Sequence, residues 1–249
     1  MLEVMILVGY VIFVVGIGIK LYSKTDLWMS KLDRITPFVE TSLVIKYGLF
    51  AFFFAVVLET LILFLFGSGS PLVLIVALSV GVGFIEEGAK LMPYFISKGK
   101  KLYRWHLTIK VALAFALIEA VLYGIMLFFS GNILGALLRI IVVMFHIAFT
   151  AIALADVLRG DSLAGYLKAS VLHSLYDAPV LLALAESSAV VIAVLSIVAV
   201  VYTYLNVDEA FGSVYAMAKR ELEERRRKAQ EFWAKSEMGV SESDFTSSL

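Results

Sequence analysis

Cysteine is absent from the chain. That excludes disulfides, thiolate metal sites and a cysteine nucleophile, and it leaves Asp, Glu, His and the hydroxyl residues to carry any chemistry. Charge is scarce as well. Only 17% of the residues are Asp, Glu, Lys or Arg, against about 25% in soluble domains. The formal net charge is zero, so the total points to no electrostatic partner, and none of nucleic-acid type is expected. The N-terminal stretch "MLEVMILVGYVIFVVGIGIKLYSK" lacks a basic leader before its apolar run and a small-residue cleavage site after it. It therefore reads as a retained first span rather than a signal peptide.

What the chain has instead is apolar surface, at 61% hydrophobic residues. A bilayer core takes about 20 apolar residues per helix. Seven stretches qualify, at roughly 2–22, 43–66, 71–97, 106–129, 132–158, 162–185 and 187–206. The expected fold is an all-α, polytopic membrane bundle of about seven transmembrane helices. Residues 1–206 form the membrane domain, with the motif-bearing core at about 71–185, and residues 207–249 form a charged cytoplasmic tail. Separators such as "GSGSP", "SGN" and "ESS" are too short for anything but tight turns, so neighbouring spans are antiparallel.

Lys and Arg crowd into alternate connections. Lys98, Lys100, Lys101 and Arg104 lie in one, Arg159 and Lys168 in another, and a basic run in the tail. The intervening turns carry none. The positive-inside tendency then places the N-terminus outside and the C-terminus in the cytoplasm of a cell-membrane protein. The segment "KTDLWMSKLDRITPFVE", with Trp28, is expected to lie in the interface.

Against this background a few polar residues stand out. An ionisable side chain at the centre of a spanning helix costs about 2.5–3.5 kcal/mol on insertion scales. Span three nevertheless carries Glu86, Glu87 and Lys90, span four Glu119, span five Arg139 and His146, and span six His173 and Asp177. From the rise per residue, Glu86, Glu119, His146, His173 and Asp177 fall within about 10 Å of the midplane, so they can meet. Lys90 is spaced to pair with either glutamate, at i,i+4 and i,i+3, and His173 and Asp177 share a helix face. Pro93 and Pro179 each remove a helical hydrogen bond beside a polar motif. Glu119, His146, His173 and Asp177 offer donors for a zinc ion, which in catalytic sites keeps one position for water. Glu86 or Glu87 would take a proton from that water.

The same residues resemble the PrsW family of intramembrane proteases, relatives of CAAX prenyl endopeptidases and bacteriocin-immunity membrane proteins. "EEGAK" (86–90) is similar to its EExxK motif, "FALIE" (115–119) to FxxxE, "FHIAF" (145–149) to its lone-histidine helix, and "HSLYD" (173–177) to HxxxD/N. The resemblance implies an endopeptidase acting on membrane-associated proteins or peptides. It implies Glu86 as general base, Glu87 orienting it through Lys90, and Glu119, His146 and His173 as metal ligands, with Asp177 as a fourth ligand or a partner to one. Lys90 and Glu119 stand where the CAAX branch carries arginine and FxxxH, which favours a protein over a prenylated substrate. A proton- or ion-coupled transporter and a non-catalytic scaffold or immunity protein are the competing readings.

Other buried polar residues have blander expectations. Arg139 is expected to snorkel to the outer interface or, as the alternative, to pair with a buried glutamate of another helix, Glu59 to bond a neighbouring helix, and His106 to sit at the cytoplasmic boundary. Gly81, Gly83, Gly88 and Gly124 are expected to permit close helix approach.

Overall fold

The computed structural model describes residues 2–184 and 190–237. Among them the chain forms seven helices: α1 (Leu2–Asp33), α2 (Thr41–Phe66), α3 (Pro71–Ile96), α4 (Lys101–Phe129), α5 (Ile133–Arg159), α6 (Ser162–Leu184) and α7 (Val190–Glu237). The short separators act as helix punctuation. Ser70 caps α3, its hydroxyl accepting from Val73 N at 3.3 Å. Asn132 caps α5 by accepting from Gly135 N at 2.9 Å, and Gly160 ends that helix in the left-handed region at φ 101°. The expected "ESS" turn and the tail beyond 237 lie outside the described residues.

Among the described residues, six helices are long and apolar enough to cross a membrane. Large apolar side chains such as Phe53, Phe64, Phe129 and Ile140 point outward. In lipid this is the favourable arrangement, because a closed set of helices satisfies its backbone internally and leaves apolar side chains for the tails. The chain is a multi-pass integral membrane protein.

The central helix is α5. From Val143 to Leu158 it is buried almost all round, with alanines at 148, 151, 153 and 155. It is packed by α1, α4, α6 and α7, while α3 packs mainly against α6, α2 and α4. Consequently α3, α4, α5 and α6, the four helices with the polar motifs, converge. The outer helix is α2, which packs against α3 and α4.

Two expectations about the ends of the bundle change. First, α1 does not stop near residue 22 but runs to Asp33, and Trp28 packs inward. Its Nε1 donates to Asp208 Oδ1 at 2.9 Å, and its ring stacks on Phe211 at 6.5 Å. Second, α7 is one 48-residue helix. Val207, Phe211, Val214 and Ala218 recur at helical spacing and are buried. The first turns past residue 206 therefore dock on the bundle, and only the basic stretch beyond is exposed. Neither proline position interrupts its helix, since α3 runs through Pro93 to Ile96 and α6 runs past 179 to Leu184.

Candidate active site

Glu86, Glu87 and Lys90 are all buried on the inner face of α3. One turn earlier, Gly83 lets α3 meet α6. A Cβ there would lie 2.6 Å from the Ser170 carbonyl oxygen and 2.7 Å from the Ser174 amide nitrogen, and would strike Ser174 Oγ. Backbone atoms cannot give way, so glycine sets this helix spacing and with it the distance from His173 to the carboxylates. At Gly124 the nearest atom would be 3.9 Å away, so the close approach expected there is not made.

The adjacent glutamates have different surroundings. Glu87 is fully engaged: Lys90 Nζ lies 2.6 Å and His173 Nδ1 3.0 Å from its Oε1, and Thr150 donates to its Oε2 at 3.3 Å. Glu86 Oε2 lies 3.5 Å from Lys90 Nζ, 3.5 Å from His146 Nδ1 and 3.7 Å from His173 Nε2. It is buried without a hydrogen-bond partner. One carboxylate is thus a fixed element of the scaffold, and the other faces the convergence of two imidazoles.

Those imidazoles are held on several sides. His146 Nδ1 is 2.8 Å from Lys90 Nζ, and its Nε2 is 3.0 Å from Glu119 Oε2. His173 Nε2 is 3.1 Å from Asp177 Oδ2. The rings stand perpendicular, 4.8 Å apart, with Phe149 stacked on His173 at 5.4 Å. Lys90 Nζ sits over the Phe115 ring at 5.2 Å, a cation–π contact that adds to its ion pairs inside the bundle.

The donor set fits a metal ion. Glu86, His146 and His173 are buried and offer one ligand atom each, all within 4.8 Å of one another. Glu86 Oε2 is a buried acceptor with no hydrogen-bond partner, a costly state unless something further binds there. This group differs from the four ligands expected from sequence. His146 and His173 belong to it, but Glu119 meets only His146 and pairs with Arg139, while Asp177 meets His173. Glu86 is the third member.

Two bland expectations, for Arg139 and Glu59, are corrected, and His106 gains partners that its expected place at the boundary did not name. Arg139 does not snorkel away; it donates to Glu119 Oε1 and lies over the Tyr123 ring at 4.9 Å. His106 is buried, with Nε2 2.7 Å from Asp33 Oδ1 and Nδ1 2.8 Å from the Pro37 carbonyl, so it pins the α1–α2 loop to α4. Glu59 bonds no other helix among the described residues. Its Oε1 is buried without a partner, and it lines a cavity of about 240 Å³ with Glu86, Glu119, Phe52, Tyr123 and Met126. Thr150 had no motif to mark it, and Phe149 stood only as the last residue of "FHIAF". Thr150 was within reach of spacing, since it stands four residues after His146 on the same face.

With these positions established, the comparison with known sequences is decisive: the model of the PrsW family intramembrane metalloproteases matches residues 41–205. The chain belongs to the PrsW family. The match starts with α2, ends within α7 and takes in all four motif-bearing helices. No curated protein and no solved structure matches the chain. PrsW membership implies an intramembrane metalloprotease, and the buried Glu/His group can hold the metal that such an enzyme uses.

Proposed function

We propose that the protein is an endopeptidase that cleaves membrane-associated proteins or peptides within the bilayer, with Glu86 activating water. The observation that carries this reading is the Glu86 Oε2 atom, buried, without a hydrogen-bond partner and facing His146 and His173. A water there gives its proton to Glu86 as its oxygen bonds the scissile carbonyl carbon. The C–N bond then breaks, and Glu86 returns that proton to the departing amine nitrogen. Glu87 does not compete for this role because Lys90, His173 and Thr150 occupy it. It holds Lys90 and His173 in place. Glu119 and Asp177 orient His146 and His173, as carboxylates beside active-site imidazoles do.

Glu86, His146 and His173 would hold a divalent ion, and two imidazoles with one carboxylate are a set found at catalytic zinc. When bound, zinc would polarise the scissile carbonyl and make water more acidic. A carboxylate that coordinates through one oxygen keeps the other as a proton acceptor. The basic connections support an orientation with the N-terminus outside and the tail in the cytoplasm.

The test uses protein purified in detergent. Metal content is measured, and cleavage of membrane-spanning peptides is compared between wild type and Glu86→Gln, His146→Ala and His173→Ala. Glu86→Gln is expected to lower turnover by about 100-fold or more, and each His→Ala to release metal. Metal-free wild type that still cleaves would remove zinc and keep the hydrolase. No cleavage of any peptide, with ion flux in liposomes abolished by the same substitutions, would replace the hydrolase with a carrier.

A further inference from the structure

The cavity beside Glu86 opens between α2 and α4, and one of its walls carries a carboxylate that the hydrolytic site does not use. Phe52, Ala55, Val56 and Glu59 follow one another at helical spacing along α2 and line it. Glu59 is about 8 Å past the midpoint of that helix, where an ionised carboxylate is costly. It has no hydrogen-bond or ion-pair partner among the described residues, and its Oε1 is buried. The nearby cations are committed elsewhere, Arg139 to Glu119 and Lys90 to Glu87 and Glu86. Three carboxylates, from Glu59, Glu86 and Glu119, face one apolar-walled space. A metal ion held by Glu86, His146 and His173 would answer the charge of Glu86 and leave Glu59 unanswered.

We propose that Glu59 is a specificity residue: the α2–α4 cleft admits an extended polypeptide segment to Glu86, and Glu59 pairs with a Lys or Arg side chain next to the scissile bond. The inference rests on the reading of the protein as a peptide hydrolase. It goes further by naming the charge that the substrate carries. Desolvated in the cleft, such a pair discriminates strongly, because a substrate without the cation leaves the carboxylate buried and unpaired. The same argument covers the protein alone. Replacing an unpartnered, half-buried carboxylate with an amide removes a desolvation cost, so Glu59→Gln is expected to melt no lower than wild type.

Two measurements test the proposal. In the first, a pair of membrane-inserted peptides differing only by Lys or Met beside the cleavage position is cleaved by wild type, Glu59→Gln and Glu59→Lys. Wild type is expected to favour the Lys peptide in kcat/KM by about tenfold or more, a ratio of about 1.4 kcal/mol. Glu59→Gln should bring the ratio near one, and Glu59→Lys should favour a peptide with Glu at that position. In the second, the cysteine-free background allows Val56→Cys to be placed in Glu86→Gln protein and disulfide-linked to a peptide carrying one cysteine. The Lys peptide should link faster than the Met peptide, and the difference should vanish when Glu59→Gln is added. A Glu59-dependent difference in linking without any cleavage would uphold the cleft and overturn the hydrolase. Cleavage with a Lys/Met ratio unchanged by Glu59→Gln would overturn this inference and leave the hydrolase standing. So would a Glu59→Gln protein that melts lower than wild type, since Glu59 would then have a structural partner.

Discussion

Gly83→Ala is the sharpest test of how the site is assembled, because a single methyl group meets backbone on the facing helix. The added Cβ would stand 2.6 Å from the Ser170 carbonyl oxygen, whereas ordinary contacts begin at 3.4 Å, so α3 and α6 must separate by about 0.8 Å. The Glu87–His173 contact crosses the same interface at 3.0 Å. An equal displacement would open it to about 3.8 Å, beyond hydrogen-bond range. Overpacking of this kind costs about 1–3 kcal/mol, and the better helix propensity of alanine returns at most about 1 kcal/mol. Thermal unfolding in detergent should therefore show a destabilised protein, and peptide cleavage should fall more steeply than stability, since His173 is displaced. Gly124→Ala is the control. Its nearest atom would be 3.9 Å away, so it should be neutral or slightly stabilising. A Gly83→Ala protein as stable and as active as wild type would refute the claim that glycine sets the α3–α6 spacing.

Other predictions concern the buried charges and the ends of the bundle. Lys90→Met strands Glu87, to which Lys90 is paired at 2.6 Å with both side chains fully buried, and should destabilise the protein by about 3–5 kcal/mol in a denaturation assay. Adding Glu87→Gln should recover part of that loss, and strict additivity of the two substitutions would show that the pair is not coupled. Phe211→Ala empties a fully buried position beneath Trp28 and Trp105. It should cost about 3–5 kcal/mol and speed tryptic cleavage of the basic stretch after Ala218, with wild-type digestion kinetics counting against a docked α7. Single cysteines at Ser68 and Lys100 should react with impermeant maleimide from opposite sides of the membrane, Lys100→Cys from the cytoplasmic side. Labelling of both from one side would overturn the topology.

Much of this protein is legible one helix at a time. Hydropathy marks the spans because lipid demands long apolar helices with satisfied backbones, and all seven expected stretches correspond to helices. The motif residues stand out because a charge in such a helix is costly enough to need a reason. Pairings at i,i+3 and i,i+4, Lys90 with Glu87 and His173 with Asp177, follow from helical geometry alone, and the structure makes both contacts.

Contacts between helices depend on rotation and depth, and no local pattern encodes these. That Thr150 and His173 occupy Glu87, and so leave Glu86 Oε2 as the carboxylate oxygen without a hydrogen bond, is settled by how α5 and α6 turn toward α3. Arg139 reads as a snorkelling residue along α5, yet α4 presents Glu119 within its reach. Trp28 reads as an interfacial anchor, yet α7 offers Asp208 and Phe211. Glu59 reads as a helix-bonding residue, yet no described residue of α3 or α4 donates to it. The sequence by itself determined that a membrane bundle would carry these charges at similar depths. Only the tertiary structure decided which of them neutralise one another and which are left free, because a buried charge takes whichever partner the packing of separate helices brings within a few ångströms.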